Sequence, residues 1–132
     1  MAFYLDTSAL VKLVVEEADS DALRKWLIET ERYVVASDLV RTELMRAVRR
    51  AAPDLVVQAR SVLDAITLVA MTTAVCEEAG RLDPTTLRSL DALHIATALD
   101  LGDDLDAMVT YDERLGSAAN SNGITVIAPG RT

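Results

Sequence analysis

The sequence predicts an α/β fold in which a mostly parallel five-stranded sheet is flanked by helices on both faces. Five short runs rich in β-branched and aromatic residues alternate with segments of helical periodicity. Strands that alternate with helices form right-handed βαβ units, whose strands are parallel and covered on both sides. The segment from Ser89 to Gly102 is apolar in nearly every direction around a helix, which indicates a central buried helix.

The first half of the chain predicts three strands, at 3–5, 33–36 and 67–71. Apolar residues at helical spacing predict the helices between them. One is an apolar segment at 9–15, and the next is an amphipathic helix carrying Leu23 and Trp26. After strand two, a Ser37-Asp38 cap begins a helix, and Pro53 occupies the first position of another.

The second half predicts a short helix at 72–82, the central helix with Ser89 as N-cap and Gly102 as C-cap, and a strand at 107–111. A helix from Glu113 and a last strand at 124–127 follow. The chain therefore has the element order of a doubly wound sheet. In such sheets the functional crevice lies outside the carboxyl ends of the strands.

Composition limits the possible functions. A chain of 132 residues with 51% hydrophobic content fits one domain, residues 1–132. Its apolar runs are too short for a membrane span and its start lacks the basic residues of a signal peptide, so we expect a soluble cytoplasmic protein. Cys76, the single cysteine, allows no internal disulfide and is expected in the core. A net charge of −8 excludes nucleic-acid binding by general basicity, so an anionic partner needs an arginine patch, a metal ion or both.

Four acids are least well explained by surface solvation. Two end strands, one opens the buried helix, and one borders an apolar helical stripe: Asp6, Asp112, Asp91 and Glu43. Carboxylates that converge repel one another unless they share protons or bind a cation. All-oxygen ligands suit Mg²⁺ or Mn²⁺, which points to metal-dependent phosphodiester hydrolysis. Three of these acids also have a structural alternative, because Asp6 and Asp112 can cap the following helices and Asp91 can complement a helix dipole.

Other polar residues near these acids also have two interpretations. Ser8 and Thr110, with Thr7, either orient carboxylates or waters or serve as turn and cap hydroxyls. His94, the only histidine, is interpreted as a hydrogen-bonded core residue, because the helix around it is apolar. Arginines cluster on the helix that carries Glu43, where they either contact phosphates or form a solvated face: Arg41, Arg46, Arg49 and Arg50.

Four ordered motifs resemble those of the PIN-domain family, and within it the VapC toxins of bacterial type II toxin–antitoxin systems. The motifs are Asp6-Thr7-Ser8-Ala9-Leu10, Glu43-Leu44 with Arg46-Ala47, Leu90-Asp91-Ala92-Leu93-His94-Ile95-Ala96-Thr97-Ala98, and Thr110-Tyr111-Asp112-Glu113-Arg114-Leu115. They span the whole chain in order, and the element around Asp91 is the most specific of them.

The resemblance implies a catalytic metal site made from Asp6, Glu43, Asp91 and Asp112, with Ser8 and Thr110 nearby. It implies Mg²⁺, or Mn²⁺ in its place, and hydrolysis of RNA to products with a 5′-phosphate and a 3′-hydroxyl. It also implies a homodimer that is inhibited by a cognate VapB antitoxin. Arg46, Arg49 and Arg50 are the candidate RNA contacts.

Two other functions compete with this one. A phosphatase of the haloacid dehalogenase type also begins with a strand and an aspartate, but it needs a second aspartate where this chain has Ser8. A catalytically silent RNA-binding or partner-binding domain would use the acids to receive an antitoxin arginine. Retention of all four acids argues against the silent domain, and a metal-dependent cleavage assay discriminates between the two.

Overall fold

The computed structural model describes residues 1–131 and contains a five-stranded sheet that is parallel throughout. Its strands, in the order β3-β2-β1-β4-β5, are β1 (Ala2–Leu5), β2 (Val34–Ser37), β3 (Thr67–Val69), β4 (Leu105–Val109) and β5 (Val126–Ile127). The predicted α/β class and the count of five strands are confirmed. Thr132, the last residue of the predicted 1–132 domain, lies outside the described residues.

Seven α-helices connect the strands within residues 1–131. They are α1 (Thr7–Lys12), α2 (Ser20–Glu29), α3 (Val40–Ala51), α4 (Val56–Ala65), α5 (Thr73–Gly80), α6 (Ser89–Asp100) and α7 (Glu113–Ser121). Short 3₁₀ turns at Pro53–Leu55 and Gly102–Asp104 precede α4 and β4. No helix in this part of the chain is both long and apolar enough to cross a membrane.

The strand order places a topological switch point between β1 and β4. The chain leaves β1, adds β2 and β3 on one side, and then returns to add β4 and β5 on the other. Loops that leave β1 and β4 therefore diverge from adjacent carboxyl ends and leave a crevice between them. Asp6 follows β1 directly, and Thr110 follows β4.

Side chains alternate across the sheet, so it builds one core on each face. Leu5 and Val109 point to a core with residues of α1 to α4, whereas Tyr4 and Met108, their neighbours along the strands, pack with residues of α6 and α7. The helix α5 covers the outer side of α6 through a smaller cluster. This arrangement confirms helices on both faces of the sheet.

The central helix differs from its prediction at its first turn. Ser89 is the first helical residue and Arg88 the N-cap, with no side-chain capping bond. Leu90 is 51% exposed, although Ile95 and Ala96 are buried as expected. The reason is that the sheet, α5 and α7 cover most of α6, whereas Leu90 lines an open cleft beside α3.

Cys76 is exposed, so its expected core position is wrong. The helix α5 is short and buries Val75 and Ala79, which are four residues apart and share one face. Cys76 lies one residue past Val75 and is turned toward solvent. A hydrophobic residue type alone does not show which side of a short helix is covered.

The predicted strand at 107–111 is shifted by two residues, because β4 ends at Val109. The backbone amide of Tyr111 donates to Ser8 Oγ at 2.9 Å, and that of Asp112 donates to Thr110 Oγ1 at 3.1 Å. Hydroxyl side chains thus replace the sheet ladder at this point. The last strand is also shorter than predicted, since only Val126 and Ile127 pair with β4.

Candidate active site

Asp6 lies at the switch point and is 3% exposed. As the N-cap of α1, its Oδ1 accepts hydrogen bonds from Ser8 Oγ at 2.7 Å and the Ala9 amide at 3.1 Å. Its Oδ2 accepts from Thr110 Oγ1 at 2.7 Å. Burial raises the pKa of Asp6, and the hydrogen bonds from Ser8 and Thr110 oppose that rise without cancelling it.

Ser8 and Thr110 tie the start of α1 to the end of β4. Their hydroxyl oxygens lie 3.3 Å apart, each contacts the Asp6 carboxylate, and each accepts a backbone amide of the loop that follows β4. Each hydroxyl has one proton, which it donates to Asp6, and a free lone pair, which accepts the amide, so the 3.3 Å approach of the two oxygens carries no hydrogen bond while both donate to Asp6. The position of the Asp6 carboxylate is therefore set by the start of α1 and by the loop that follows β4.

Glu43 lies in the first turn of α3, and its side chain is 22% exposed. Two groups contact the same oxygen, Oε1: Thr7 Oγ1 at 2.6 Å and His94 Nε2 at 2.8 Å. Burial raises the pKa of Glu43, but the hydrogen bonds from His94 and then Thr7 outweigh burial and leave it below the ordinary value. Glu43 is held as a carboxylate.

Asp91 is buried in the first turn of α6, and its Oδ2 has no hydrogen-bond partner within residues 1–131. The nearest cation is Arg88, whose Nε lies 3.8 Å from Oδ2 on an exposed side chain. Burial, and then the charge of Asp112, raise the pKa of Asp91, while Arg88 opposes the rise. A buried carboxylate oxygen without a donor is costly, so this atom is a candidate ligand for a cation.

Asp112 is the N-cap of α7. Its Oδ1 accepts from the amides of Arg114 at 3.0 Å and Leu115 at 3.2 Å. Asp6 and Asp112 therefore do cap the helices that follow them. Capping does not exclude metal binding by the same carboxylates. Capping holds each carboxylate at the start of its helix, at the carboxyl edge of the sheet.

All four acids lie at the carboxyl edge of the sheet, because Asp6 and Asp112 follow β1 and β4 and because Glu43 and Asp91 lie in the first turns of α3 and α6. The charge of Asp112 raises the pKa of Asp91, and Thr110 contacts both the Asp6 carboxylate and the backbone of Asp112. Within the described residues, no three Asp, Glu, His or Cys side chains lie close enough to hold one metal ion. Mg²⁺ does not need such a cage, because it is usually bound by one or two carboxylates together with waters and substrate phosphates. The oxygen donors and the unpartnered Asp91 Oδ2 fit Mg²⁺ or Mn²⁺ in that mode.

The arginines of α3 divide into two groups. Arg46 and Arg50 line a cleft of about 380 Å³ together with Thr7, Glu43 and Leu90. Arg49 is exposed and is not among the residues that line this cleft. Arg41 also lies apart from the cleft lining, and its Nε donates to Asp38 Oδ1 at 2.8 Å. Two of the three candidate RNA contacts thus lie beside a predicted site acid.

Sequence reasoning missed two residues that contact this site. His94 is buried and hydrogen-bonded as predicted, but one of its partners is Glu43, and the other is Tyr4. A signal was present, because His94 lies three residues after Asp91 and so shares its side of the helix. Tyr4 likewise precedes Asp6 by two residues and shares its side of the strand.

Comparison with known proteins identifies the family. The family model described as PIN domain matches residues 3–120 of the sequence. The chain belongs to the PIN-domain family. It is 45% identical to Ribonuclease VapC46 of Mycobacterium tuberculosis over 128 residues, which cover 97% of this chain and 98% of that protein. This similarity confirms the resemblance to VapC proteins.

Two solved structures share the fold. One is VapC20 of Mycobacterium tuberculosis, described as a sarcin-ricin loop cleaving toxin, with a TM-score of 0.78 and 18% identity over 96% of this chain and 99% of that one. The other is a toxin–antitoxin complex from Klebsiella pneumoniae, with a TM-score of 0.73 and 18% identity over 98% of each chain. Both confirm the PIN-domain architecture.

The donors to Asp6 generate a stability prediction. Thr110→Val keeps the side-chain shape but removes the donor to a buried carboxylate, so unfolding free energy at neutral pH should fall by about 1–3 kcal/mol. The loss should shrink as pH falls, because a hydrogen bond to the carboxylate stabilises its ionised form and Asp6 is protonated in acid. Urea titrations at several pH values measure this loss of unfolding free energy. Thr85→Val, at an exposed turn, is the control, and equal effects of the two variants would contradict the assignment.

Proposed function

We propose that this PIN-domain chain is a Mg²⁺-dependent endoribonuclease toxin, which hydrolyses RNA phosphodiester bonds and is neutralised by a cognate VapB-type antitoxin. The observation that carries the proposal is the buried, unpartnered Oδ2 of Asp91 at a sheet edge that also bears Asp6, Glu43 and Asp112. The name of the 45% identical relative, Ribonuclease VapC46, supports the reaction class. The fold shared with a toxin from a toxin–antitoxin complex is consistent with the biological role.

Four carboxylates are the candidate ligands, Asp6, Glu43, Asp91 and Asp112, and one or two of them would hold each metal ion together with waters and the RNA phosphate. When bound, Mg²⁺, or Mn²⁺ in its place, supplies an activated water and neutralises charge on the attacked phosphodiester. The chain's own contribution is to orient these groups. Ser8 and Thr110 orient Asp6, backbone amides orient Asp112, and Thr7 orients Glu43. The products would carry a 5′-phosphate and a 3′-hydroxyl.

The cleft beside Glu43 would receive the RNA strand. Arg46 and Arg50 supply positive charge where the chain as a whole has a net charge of −8. Phosphate contacts of this kind orient a strand without reading its sequence. We further propose the homodimer that the family implies, which sedimentation equilibrium can test.

The proposal is tested first by metal dependence. RNA cleavage should require Mg²⁺ or Mn²⁺ and stop when a chelator is in excess, because the site offers only carboxylate ligands. The assay follows cleavage of metal-free RNA by chelated protein before and after Mg²⁺ is restored. Full cleavage in chelator would overturn the metal-dependent mechanism. Absence of cleavage under all metal conditions, with RNA still bound, would favour the silent binding domain.

The arginines give a prediction with an internal control. Arg46→Ala with Arg50→Ala should weaken RNA binding and reduce the salt dependence of log K by about 1.4, since each single-strand phosphate contact contributes about 0.7. Arg49→Ala should change the slope little, because Arg49 lies outside the cleft lining. Binding is measured by fluorescence anisotropy over a salt series in an Asp91→Asn background, so that the RNA stays intact. An unchanged salt slope in the Arg46/Arg50 variant would assign this face to solvent or to a partner, and a slope reduced as much by Arg49→Ala would contradict the assignment of RNA binding to the cleft.

Asp91 separates a metal ligand from a helix-dipole complement. Asp91→Asn should abolish cleavage and leave the metal-free protein as stable or more stable, because it removes a buried charge whose pKa is raised by burial and by Asp112. Mg²⁺ should raise the melting temperature of the parent chain and raise that of the variant much less. A dipole complement would instead cost about 0.3–1 kcal/mol on substitution and spare activity. Thermal melts with and without Mg²⁺, beside a cleavage assay, distinguish the two results.

A further inference from the structure

The side chains of Tyr4, His94 and Glu43 form a hydrogen-bonded chain that reaches from the core of the domain to the candidate site. Tyr4 is 0% and His94 3% exposed, whereas the Glu43 side chain is 22% exposed. The Tyr4 Oη lies 2.6 Å from His94 Nδ1, and His94 Nε2 lies 2.8 Å from Glu43 Oε1. This series of hydrogen bonds thus begins at a buried tyrosine and ends at a carboxylate of the candidate site.

Donor and acceptor chemistry assigns the protons. An ionised carboxylate only accepts, so the 2.8 Å contact requires a proton on His94 Nε2. In a neutral imidazole the other nitrogen is then an acceptor, so Nδ1 receives the hydroxyl proton of Tyr4. In a neutral ring, a Tyr4 donor and a Glu43 acceptor are therefore both satisfied by one tautomer, the one whose Nε2–H points at Glu43.

Both donors to Glu43 contact the same oxygen. Thr7 Oγ1, at 2.6 Å, joins His94 Nε2 on Oε1, so the carboxylate is held from two directions through one atom. Within the described residues its hydrogen bonds end there, and Oε2 is left to bind another group. The donors come from α1 and α6, which pack on opposite faces of the sheet.

We propose that Tyr4 and His94 are positioning residues for Glu43: Tyr4 fixes the His94 ring, and the ring holds Glu43 Oε1 so that Oε2 is free to bind the metal ion. The proposal rests on the metal-dependent function proposed above. It assigns His94 no ligand role, since its two ring nitrogens are already used. Groups that orient metal-binding side chains typically change metal affinity 10–100-fold when they are removed.

The single histidine allows a direct test of the tautomer in metal-free protein. In tag-free, ¹⁵N-labelled protein the imidazole correlation spectrum contains one spin system, since His94 is the only histidine. We expect a protonated Nε2 and an unprotonated Nδ1. Tyr4→Phe should shift the Nδ1 resonance, whereas Tyr33→Phe, at a 53% exposed residue, should not. A protonated Nδ1 in the parent protein would overturn the proposal.

Metal affinity is the second measurement, with Mn²⁺ as the probe and its electron paramagnetic resonance signal as the readout of free ion. His94→Leu should raise the Mn²⁺ dissociation constant about tenfold or more. His94→Gln, which retains an amide donor, should recover part of the loss. Tyr4→Phe should weaken Mn²⁺ binding severalfold, and Tyr33→Phe should leave it unchanged. Because Tyr4→Phe is nearly isosteric, it remains informative if a His94 variant fails to fold.

The outcomes separate this proposal from the function on which it rests. If the parent chain does not bind Mn²⁺, the metal site itself is wrong and the positioning role fails with it. If the parent binds Mn²⁺ and Tyr4→Phe and His94→Leu bind it equally well, the metal site stands and the positioning role is overturned.

Discussion

The buried carboxylate of Asp6 is the constraint on which the rest of the site depends. A charged group inside a protein must have hydrogen-bond donors, and here two donors come from the first turn of α1 and one from Thr110, directly after β4. The hydroxyls of Ser8 and Thr110 also accept the backbone amides that end β4. One network therefore ends a strand, begins a helix and holds a carboxylate. The network lies at the switch point between β1 and β4.

The pKa values of Glu43, Asp6 and Asp91 shift in different directions because their hydrogen-bond donors and their burial differ. Glu43 has two donors on one oxygen, and its pKa is lowered despite burial. Asp6 has more donors but is more deeply buried, and its pKa is raised. Asp91 lacks a donor on Oδ2 and lies near the charge of Asp112, which raises its pKa as well. A cation at this edge would relieve the repulsion between acids and stabilise their ionised forms, which is why the metal proposal and the energetics agree.

The same residues join the two layers of the domain. Thr7 belongs to the layer of α1 to α4, and His94 to the layer of α6 and α7, yet both contact Glu43 Oε1. Glu43 therefore links the two helical layers through hydrogen bonds. On the outer side, Arg46 and Arg50 line the cleft next to Glu43, so positive charge is placed locally in a strongly acidic chain.

The sequence by itself determined the α/β class, the five strands and the helices on both faces, because hydrophobic periodicity reports directly on local structure and burial. It also singled out Asp6, Glu43, Asp91 and Asp112 as acids that solvation explains poorly, and the structure places them at one edge. Only the tertiary structure decided what surrounds them. That His94 contacts Glu43, 51 positions earlier in the chain, and that Arg50 lines the cleft while Arg49 does not, depend on how helices from different layers meet. The tertiary structure also decided that Cys76 and Leu90 are exposed, since a residue's own chemistry does not specify which neighbour covers it.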